Sequence, residues 1–365
     1  MRSSYSEKDV VFLLKDITGL VRPLPAAERE KLIQSGKHYS EMLPVEYVPT
    51  EEYMRVYRET LRIQAKPVAL AVGILADKIL RKKGENVVLV SLARAGTPIG
   101  ILLKRYIRMK YSLDLPHYSI SIIRGRGIDG NAMKYLLERY KPEQLLFVDG
   151  WIGKGAIQNE LKQAVSAYKG VSPDIAAAAD PANLTELCGT HEDILIPSAC
   201  LNSTVSGLVS RTFLREDIIG PEDFHGAVYY GELKDSDLSY DFINAVEREF
   251  SIKPPREGGK DDRTGSAAET LPERIPASGT GIDEVREIAG RFGVDDINLI
   301  KPGIGEATRV LLRRLPWKVL IDRRYKDAPE LGHLLRLAME KQVPVEYYPL
   351  RHYKCCGIIR KVSDM

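Results

Sequence analysis

Two uninterrupted apolar runs, VVLV (residues 87–90) and LLFV (residues 145–148), constrain this chain more than any other feature. Each is too short for a helix and lacks the polar–apolar alternation of a half-exposed strand. Each leads into a glycine-containing turn and then into apolar residues at helical spacing. A strand buried on both faces belongs in a parallel sheet covered by helices.

The pattern continues. ENVVLVSLARAG reads as strand and turn, TPIGILLKRYIRMKY as helix, HYSISIIRG as an alternating strand and GNAMKYLLERY as helix. EQLLFVDG is then a buried strand, AIQNELKQAVSAYK a helix, EDILIPS a further strand and TVSGLVSRTFL a helix. This alternation predicts an α/β fold with a doubly wound, mostly parallel sheet. Ligands then bind where strand C-terminal ends meet helix N-termini. The turns SLARAGTP and VDGWIGKGA both fall at such ends.

Residues 251–281, SIKPPREGGKDDRTGSAAETLPERIPASGTG, are rich in Pro, Gly, Ser and charge, the composition of a flexible linker. They divide a body (residues 1–250) from a tail (residues 282–365), in which helices IDEVREIAGRFG, GEATRVLLRRL and ELGHLLRLAMEKQ alternate with strands INLIKPG, WKVLIDR, VPVEYYPL and CCGIIRKV. The tail is expected to be a small three-layer α/β sandwich. No run of eighteen apolar residues exists, so no membrane span is expected. The start, MRSSYSEKDVVFLLKD, is acid-containing and unlike a secretory signal. Four cysteines in 365 residues do not suggest a disulfide framework, and a cytoplasmic protein is expected.

The loop LLFVDGWIGKGA (residues 145–156) is not a Walker A site, because Val148 stands where the first glycine is needed and Gly155 follows Lys154. It resembles the PRPP (5-phosphoribosyl 1-pyrophosphate) loop of type I phosphoribosyltransferases. That resemblance implies that Asp149 holds ribose and the turn Gly153, Lys154, Gly155, Ala156 holds the 5′-phosphate through freed backbone N–H groups. Gly150 stands where the family has a second acid, and the hydroxyl residues of its turn are missing. VVLVSLARAGTPIG resembles the pyrophosphate loop of the same enzymes, with Arg94, Ala95 and Gly96 in the turn and Mg²⁺ accompanying PRPP. Between the two, Arg124 and Arg126 lie amid Gly125, Gly127 and Gly130, in a loop expected to close over a leaving group.

Residues 186–212 concentrate reactive side chains: Cys188, His191, Cys200, Asn202, Ser203 and Thr204 among them. Three readings are open beside that of simply buried cysteines. Cys188, His191 and Cys200 can ligate zinc, though no fourth ligand is evident. Cys188 or Cys200 can be a nucleophile activated by His191. A Cys three residues from its only nearby His is an unusual dyad, since such partners normally come from distant segments. LNSTVSG can be an anion cradle completing a sugar-phosphate pocket, the reading its composition favours.

Together, SLARAGTPIG, DGWIGKGAI, EDILIPSACLNSTVSGLVSRT and LIKPGIGEATRVLLRR resemble a bacterial family found with tellurite-resistance and stress-response genes. Its members carry a phosphoribosyltransferase-like domain followed by a Pelota-type RNA-binding domain, and the family also bears the label cysteine protease StiP. The resemblance covers nearly the whole chain outside the linker. In the tail, KPGIGEATRVLLRRLPWK resembles the RNA-contact turn of the L7Ae/Pelota superfamily, with Gly303, Glu306 and Arg309 matching and Gly305 replacing an asparagine. From residue 295 onward there are 14 Lys+Arg against 9 Asp+Glu, so Lys301, Arg309, Arg313 and Arg324 are available to phosphates.

The resulting expectation is a phosphoribosyltransferase-like enzyme that binds PRPP or a nucleotide with Mg²⁺, makes or breaks an N-glycosidic bond, and engages structured RNA through its tail. The alternatives are a cysteine-dependent hydrolase or protease using Cys188 or Cys200, and a non-catalytic nucleotide sensor.

Overall fold

The computed structural model describes residues 1–47, 49–251 and 280–361. The expected linker, residues 251–281, lies outside the described residues except at its two ends.

In chain order the body's strands are β1 (Val11–Phe12), β2 (Lys15–Asp16), β3 (Val88–Leu92), β4 (His117–Ile120), β5 (Ile122–Ile123), β6 (Gly127–Ile128), β7 (Leu145–Trp151), β8 (Ile175–Ala179), β9 (Cys188–Thr190) and β10 (Gly226–Ala227). Its helices are α1 (Ala26–Gln34), α2 (Glu51–Lys83), α3 (Gly96–Tyr111), α4 (Gly130–Leu137), α5 (Ala156–Val165) and α6 (Ser239–Glu247). The tail holds α7 (Gly281–Phe292), β11 (Ile300–Pro302), α8 (Ile304–Arg313), β12 (Pro316–Ile321), α9 (Gly332–Glu340), β13 (Val345–Tyr347) and β14 (Cys355–Ile359).

Six strands form the body's central sheet in the order β1-β4-β3-β7-β8-β9, every neighbouring pair parallel. The mostly parallel α/β architecture expected from the apolar runs is therefore present. Alternate residues divide the strands between two cores, as the period of two demands. Leu89, Leu146, Val148, Ala176 and Ala178 meet α2, α3 and α6 on one face. Val88, Val90, Leu145, Phe147 and Ala177 meet α4 and α5 on the other. Each such fully buried Leu, Val or Phe contributes roughly 1.5–3 kcal/mol.

Three departures from expectation bear on the site. Helix α2, 33 residues long and capped by Thr50 Oγ1 on the Tyr53 amide, occupies a region to which no element had been assigned. The strand expected in EDILIPS is absent. The edge strand is β9, just upstream, and the chain bends away after Thr190. The helix expected in TVSGLVSRTFL is only a 3₁₀ turn at Ser203–Val205, followed by single bridges from Val209 to Tyr229 and Phe213 to Gly226. Gly207 (φ 78°) and Leu208 (φ 57°) are both left-handed there, which no right-handed helix tolerates.

The tail's sheet runs β11-β14-β12-β13, with β14 antiparallel to both neighbours. Val285 and Ile288 of α7 pack with Ile300, Leu320 and Ile358 on one face. Helices α8 and α9 pack on the other, and their apolar side chains merge with Tyr53, Tyr57, Leu195 and Leu201 of the body into one core.

Candidate active site

Strand β8 reads IAAAA and is followed at once by Asp180. Small residues are suited to this place, because α2 passes close across the sheet's edge. A side chain at Gly189 in β9 would overlap the carbonyl oxygens of Ala71 and Ala178. The register sets Cys188 beside Ala177 and Thr190 beside Ala179, and the Asp180 amide donates to the Thr190 carbonyl (2.8 Å), so the end of β9 lies against Asp180. The connection wraps the Asp180 carboxylate, whose Oδ2 accepts the amides of Leu184 (2.6 Å) and Thr185 (2.7 Å). Its Oδ1 is buried without a hydrogen-bond partner.

Because the chain bends after Thr190, His191 folds back on the strand. Its Nε2 lies 3.4 Å from Cys188 Sγ and its Nδ1 3.0 Å from the Asp180 carbonyl oxygen. Nδ1 is also 3.8 Å from Asp180 Oδ2. A carbonyl can only accept, so Nδ1 carries the proton and Nε2 faces the thiol as an acceptor. A nucleophile, a base and a group orienting the base thus stand in sequence, the arrangement that covalent catalysis requires. Cys188 is 0% exposed while the His191 side chain is 50% exposed. Burial pushes the Cys188 thiol up to about 11; Lys78 draws it down and Asp180 adds to the rise. Burial likewise raises the Asp180 carboxyl against the pull of its backbone donors. The donor atoms of Asp180, Cys188 and His191 lie within 4.8 Å of one another, and this is the one such cluster among the described residues. The third potential zinc ligand is thus Asp180, and Cys200 does not join the group.

Cys200 is enclosed in the core shared by body and tail, and its carbonyl accepts the Tyr53 hydroxyl at 2.6 Å. Burial pushes its thiol far up. Cys355 and Cys356 are buried in β14.

The loop read as a phosphate cradle is instead where the tail docks. Lys154 Nζ donates to the carbonyls of Ile297 (2.6 Å) and Ile300 (2.7 Å), and Tyr353 Oη to that of Gly153 (2.6 Å). Asp149 Oδ1 accepts the Gly150 amide, and burial lifts its carboxyl to about 6. Gly155 caps α5, which Ala156 begins. Arg94 is buried and donates to the Val209 carbonyl, while Ala95 and Gly96 open α3. The Arg124–Arg126 segment is a tight β5–β6 hairpin pinned by Glu160, which accepts the amides of Gly125 and Gly127. Arg126 pairs with Glu41, and Arg124 donates to Asn298 of the tail. The anion cradle at Ser203 holds the protein's own anion: Glu46 Oε2 accepts both its amide and its hydroxyl. Asn202 Oδ1 accepts from Arg313 Nε, and the Thr204 carbonyl accepts the Leu238 amide.

The tail's turn faces the body rather than solvent. Asp193 accepts the amides of Ile304 (3.1 Å) and Lys354 (2.9 Å), close beside Gly303. Gly305 lies against the Trp151 ring, over which the Arg309 guanidinium stacks at 4.4 Å. Glu306 approaches Gly153, and Lys301 is 3.9 Å from its carboxylate.

Residues 3–247 match the family described as tellurite-like stress resistance cysteine protease StiP, and residues 279–361 match the PELOTA RNA binding domain. The chain is 33% identical to the cysteine protease StiP of Acinetobacter baylyi over 99% of its own length and 94% of the relative's. The chain belongs to the StiP family. These matches overturn the expectation of a phosphoribosyltransferase, since family and relative alike are named cysteine proteases. The cysteine-dependent reading, first held as the alternative, takes its place.

Proposed function

We propose that this member of the StiP family is a cysteine peptidase with Cys188 as nucleophile, His191 as general base and Asp180 as the group that orients the base. The observation carrying this reading is the 3.4 Å approach of His191 Nε2 to Cys188 Sγ while Nδ1 is held by Asp180. His191 Nε2 takes the thiol proton as sulfur attacks the carbonyl carbon of a peptide bond. The same nitrogen then protonates the departing amine, leaving a thioester that water hydrolyses with His191 again as base. Cys188 is covered in the resting chain, so the residues over it must move to admit substrate.

The test is turnover of a mixed fluorogenic peptide library by wild type, Cys188→Ser, Cys200→Ser and His191→Ala. Loss in the first and third variants with retention in Cys200→Ser is expected. Turnover that survives Cys188→Ser would sink the reading. Activity abolished by a chelator and restored by Zn²⁺ would mean that Asp180, Cys188 and His191 hold a metal instead.

We propose as well that the tail contacts RNA, on the support of its match to the PELOTA domain and its basic excess of 14 Lys+Arg over 9 Asp+Glu. Such binding should weaken steeply between roughly 50 and 200 mM salt. Salt-independent retention of a structured RNA, or none at low salt, would refute it.

A further inference from the structure

His191 is aimed by the Asp180 carbonyl, and the tail reaches both chain segments that meet there. The Asp180 carbonyl oxygen accepts the Asn183 amide at 3.1 Å as well as His191 Nδ1, so its direction is set by the turn of residues 180–183. The next two carbonyls of that turn are held from outside it. His352 Nδ1 donates to the Pro181 carbonyl at 3.2 Å, and the Gly281 amide donates to that of Ala182 at 3.1 Å. On the other side of the contact, Asp193 follows His191 by two residues and is 4% exposed. Its carboxylate takes the amides of Ile304 and Lys354. Tail groups thus grip the chain just after Asp180 and just after His191.

These grips are fastened to one another inside the tail. Glu284 of α7 is buried and accepts the amides of Arg351 at 2.6 Å and His352 at 2.8 Å, which ties residue 352 to the helix that Gly281 begins. The Gly303 amide donates to the Cys355 carbonyl at 2.8 Å, which ties the turn before Ile304 to the strand that follows Lys354. The seat is tight: a side chain at Gly281 would overlap the Tyr353 hydroxyl and the Ala182 α-carbon. His191, by contrast, has a half-exposed side chain on a chain that has already left β9. A base placed on such a bend keeps its aim only if the chain on both sides of it is fixed. Misplacing a reacting group by about 1 Å costs on the order of 10²-fold in rate.

We propose that the docked tail is part of the catalytic apparatus, with His352 and Asp193 as positioning residues that keep the Asp180 carbonyl and the His191 ring in contact. The consequence for rate rests on the peptidase reading, whereas the orientation of the ring is a property of the folded chain and is read separately. Whatever shifts the tail on its seat then shifts the base, so the placement of the tail and the activity of the body are coupled.

The test uses the full chain, isotope-labelled at its histidine nitrogens. Long-range nitrogen–proton spectra at about pH 8, where free imidazole is neutral, report which nitrogen of His191 carries the proton, with His191→Ala assigning the signal. Wild type should show mainly the Nδ1–H form. His352→Ala should shift the population toward Nε2–H and lower kcat on a peptide chosen from the library by about 10- to 10²-fold, with KM little changed. His352→Asn, whose side-chain amide nitrogen can stand in for Nδ1, should recover both. Asp193→Asn lacks one of the two acceptors for the tail amides and carries the same test from the body's side should His352→Ala fail to fold. A wild-type tautomer in a folded His352→Ala or Asp193→Asn would overturn the proposal. So would a tautomer shift that leaves kcat unchanged, or a loss that His352→Asn does not recover. A wild type that cleaves no peptide would sink the peptidase reading instead, and the tautomer would then decide the positioning by itself.

Discussion

His191 Nε2 stands 3.4 Å from Cys188 Sγ although the two residues are three apart in the chain. A regular strand would carry them to opposite faces of the sheet and well apart. The bend after Thr190 cancels that separation and turns a sequence neighbour into a base.

Thiol reactivity should report how the pair is poised. With the Cys188 thiol at about 11, little thiolate exists at neutral pH, and alkylation depends on the small deprotonated fraction. The rate of iodoacetamide labelling at Cys188, followed by peptide mass, should rise about tenfold per pH unit from roughly pH 7 to 10. A plateau already reached near pH 7 would indicate a preformed thiolate–imidazolium pair, contrary to His191 acting as a general base.

Asp180→Asn keeps an oxygen for the Leu184 and Thr185 amides but removes the charge beside His191. Turnover should fall by no more than about 10²-fold, the low end of what general base catalysis contributes, because the Asp180 carbonyl still holds Nδ1, with little change in melting temperature. Asp180→Ala should in addition destabilise the fold by about 1–3 kcal/mol through two orphaned amides. Equal turnover by Asp180→Asn and wild type would remove the Asp180 carboxylate from the mechanism and leave only its carbonyl to orient His191.

Cys200→Ala should leave activity intact and cost about 1 kcal/mol in denaturant unfolding, as expected of a small cavity in a packed core. A loss of activity without loss of stability would return Cys200 to candidacy.

Asp193→Ala removes the acceptor of two tail amides, Ile304 and Lys354. Hydrogen exchange should quicken at both positions together. Because Gly303, Gly305 and Arg309 would then be uncovered, the variant should bind structured RNA more tightly than wild type in a gel-shift series. Equal affinity would mean that the turn seen against Trp151 is not the RNA-contacting surface.

The sheet was legible because VVLV and LLFV have no other stable placement than between two helical layers. IAAAA was not, since an alanine run favours helix by propensity, and only its position between β7 and β9 makes it a strand. Asp180 was therefore overlooked, although IAAAAD presents the same ending as LLFVD: an apolar run closed by an acid at a strand's C-terminal end. Of the two acids, Asp149 attracted notice through the glycines that follow it. Among them, Gly153 in fact lies against Glu306 of the tail and its carbonyl accepts the Tyr353 hydroxyl. No local pattern could disclose this, because the partner residues lie about 150 to 200 positions away. Cys188 and His191 were legible as residues, but their pairing depended on a bend that follows a strand placed several residues too late.

Asp193 also bears on the order in which the molecule comes together. The amides it accepts belong to residues 304 and 354, which become neighbours only once β11, β14 and α8 have assembled. An unfolded tail can offer that carboxylate one amide at a time, and only a folded one offers both. The body thus proofreads its own C-terminal half, accepting it firmly after its strands are in register and holding it weakly before.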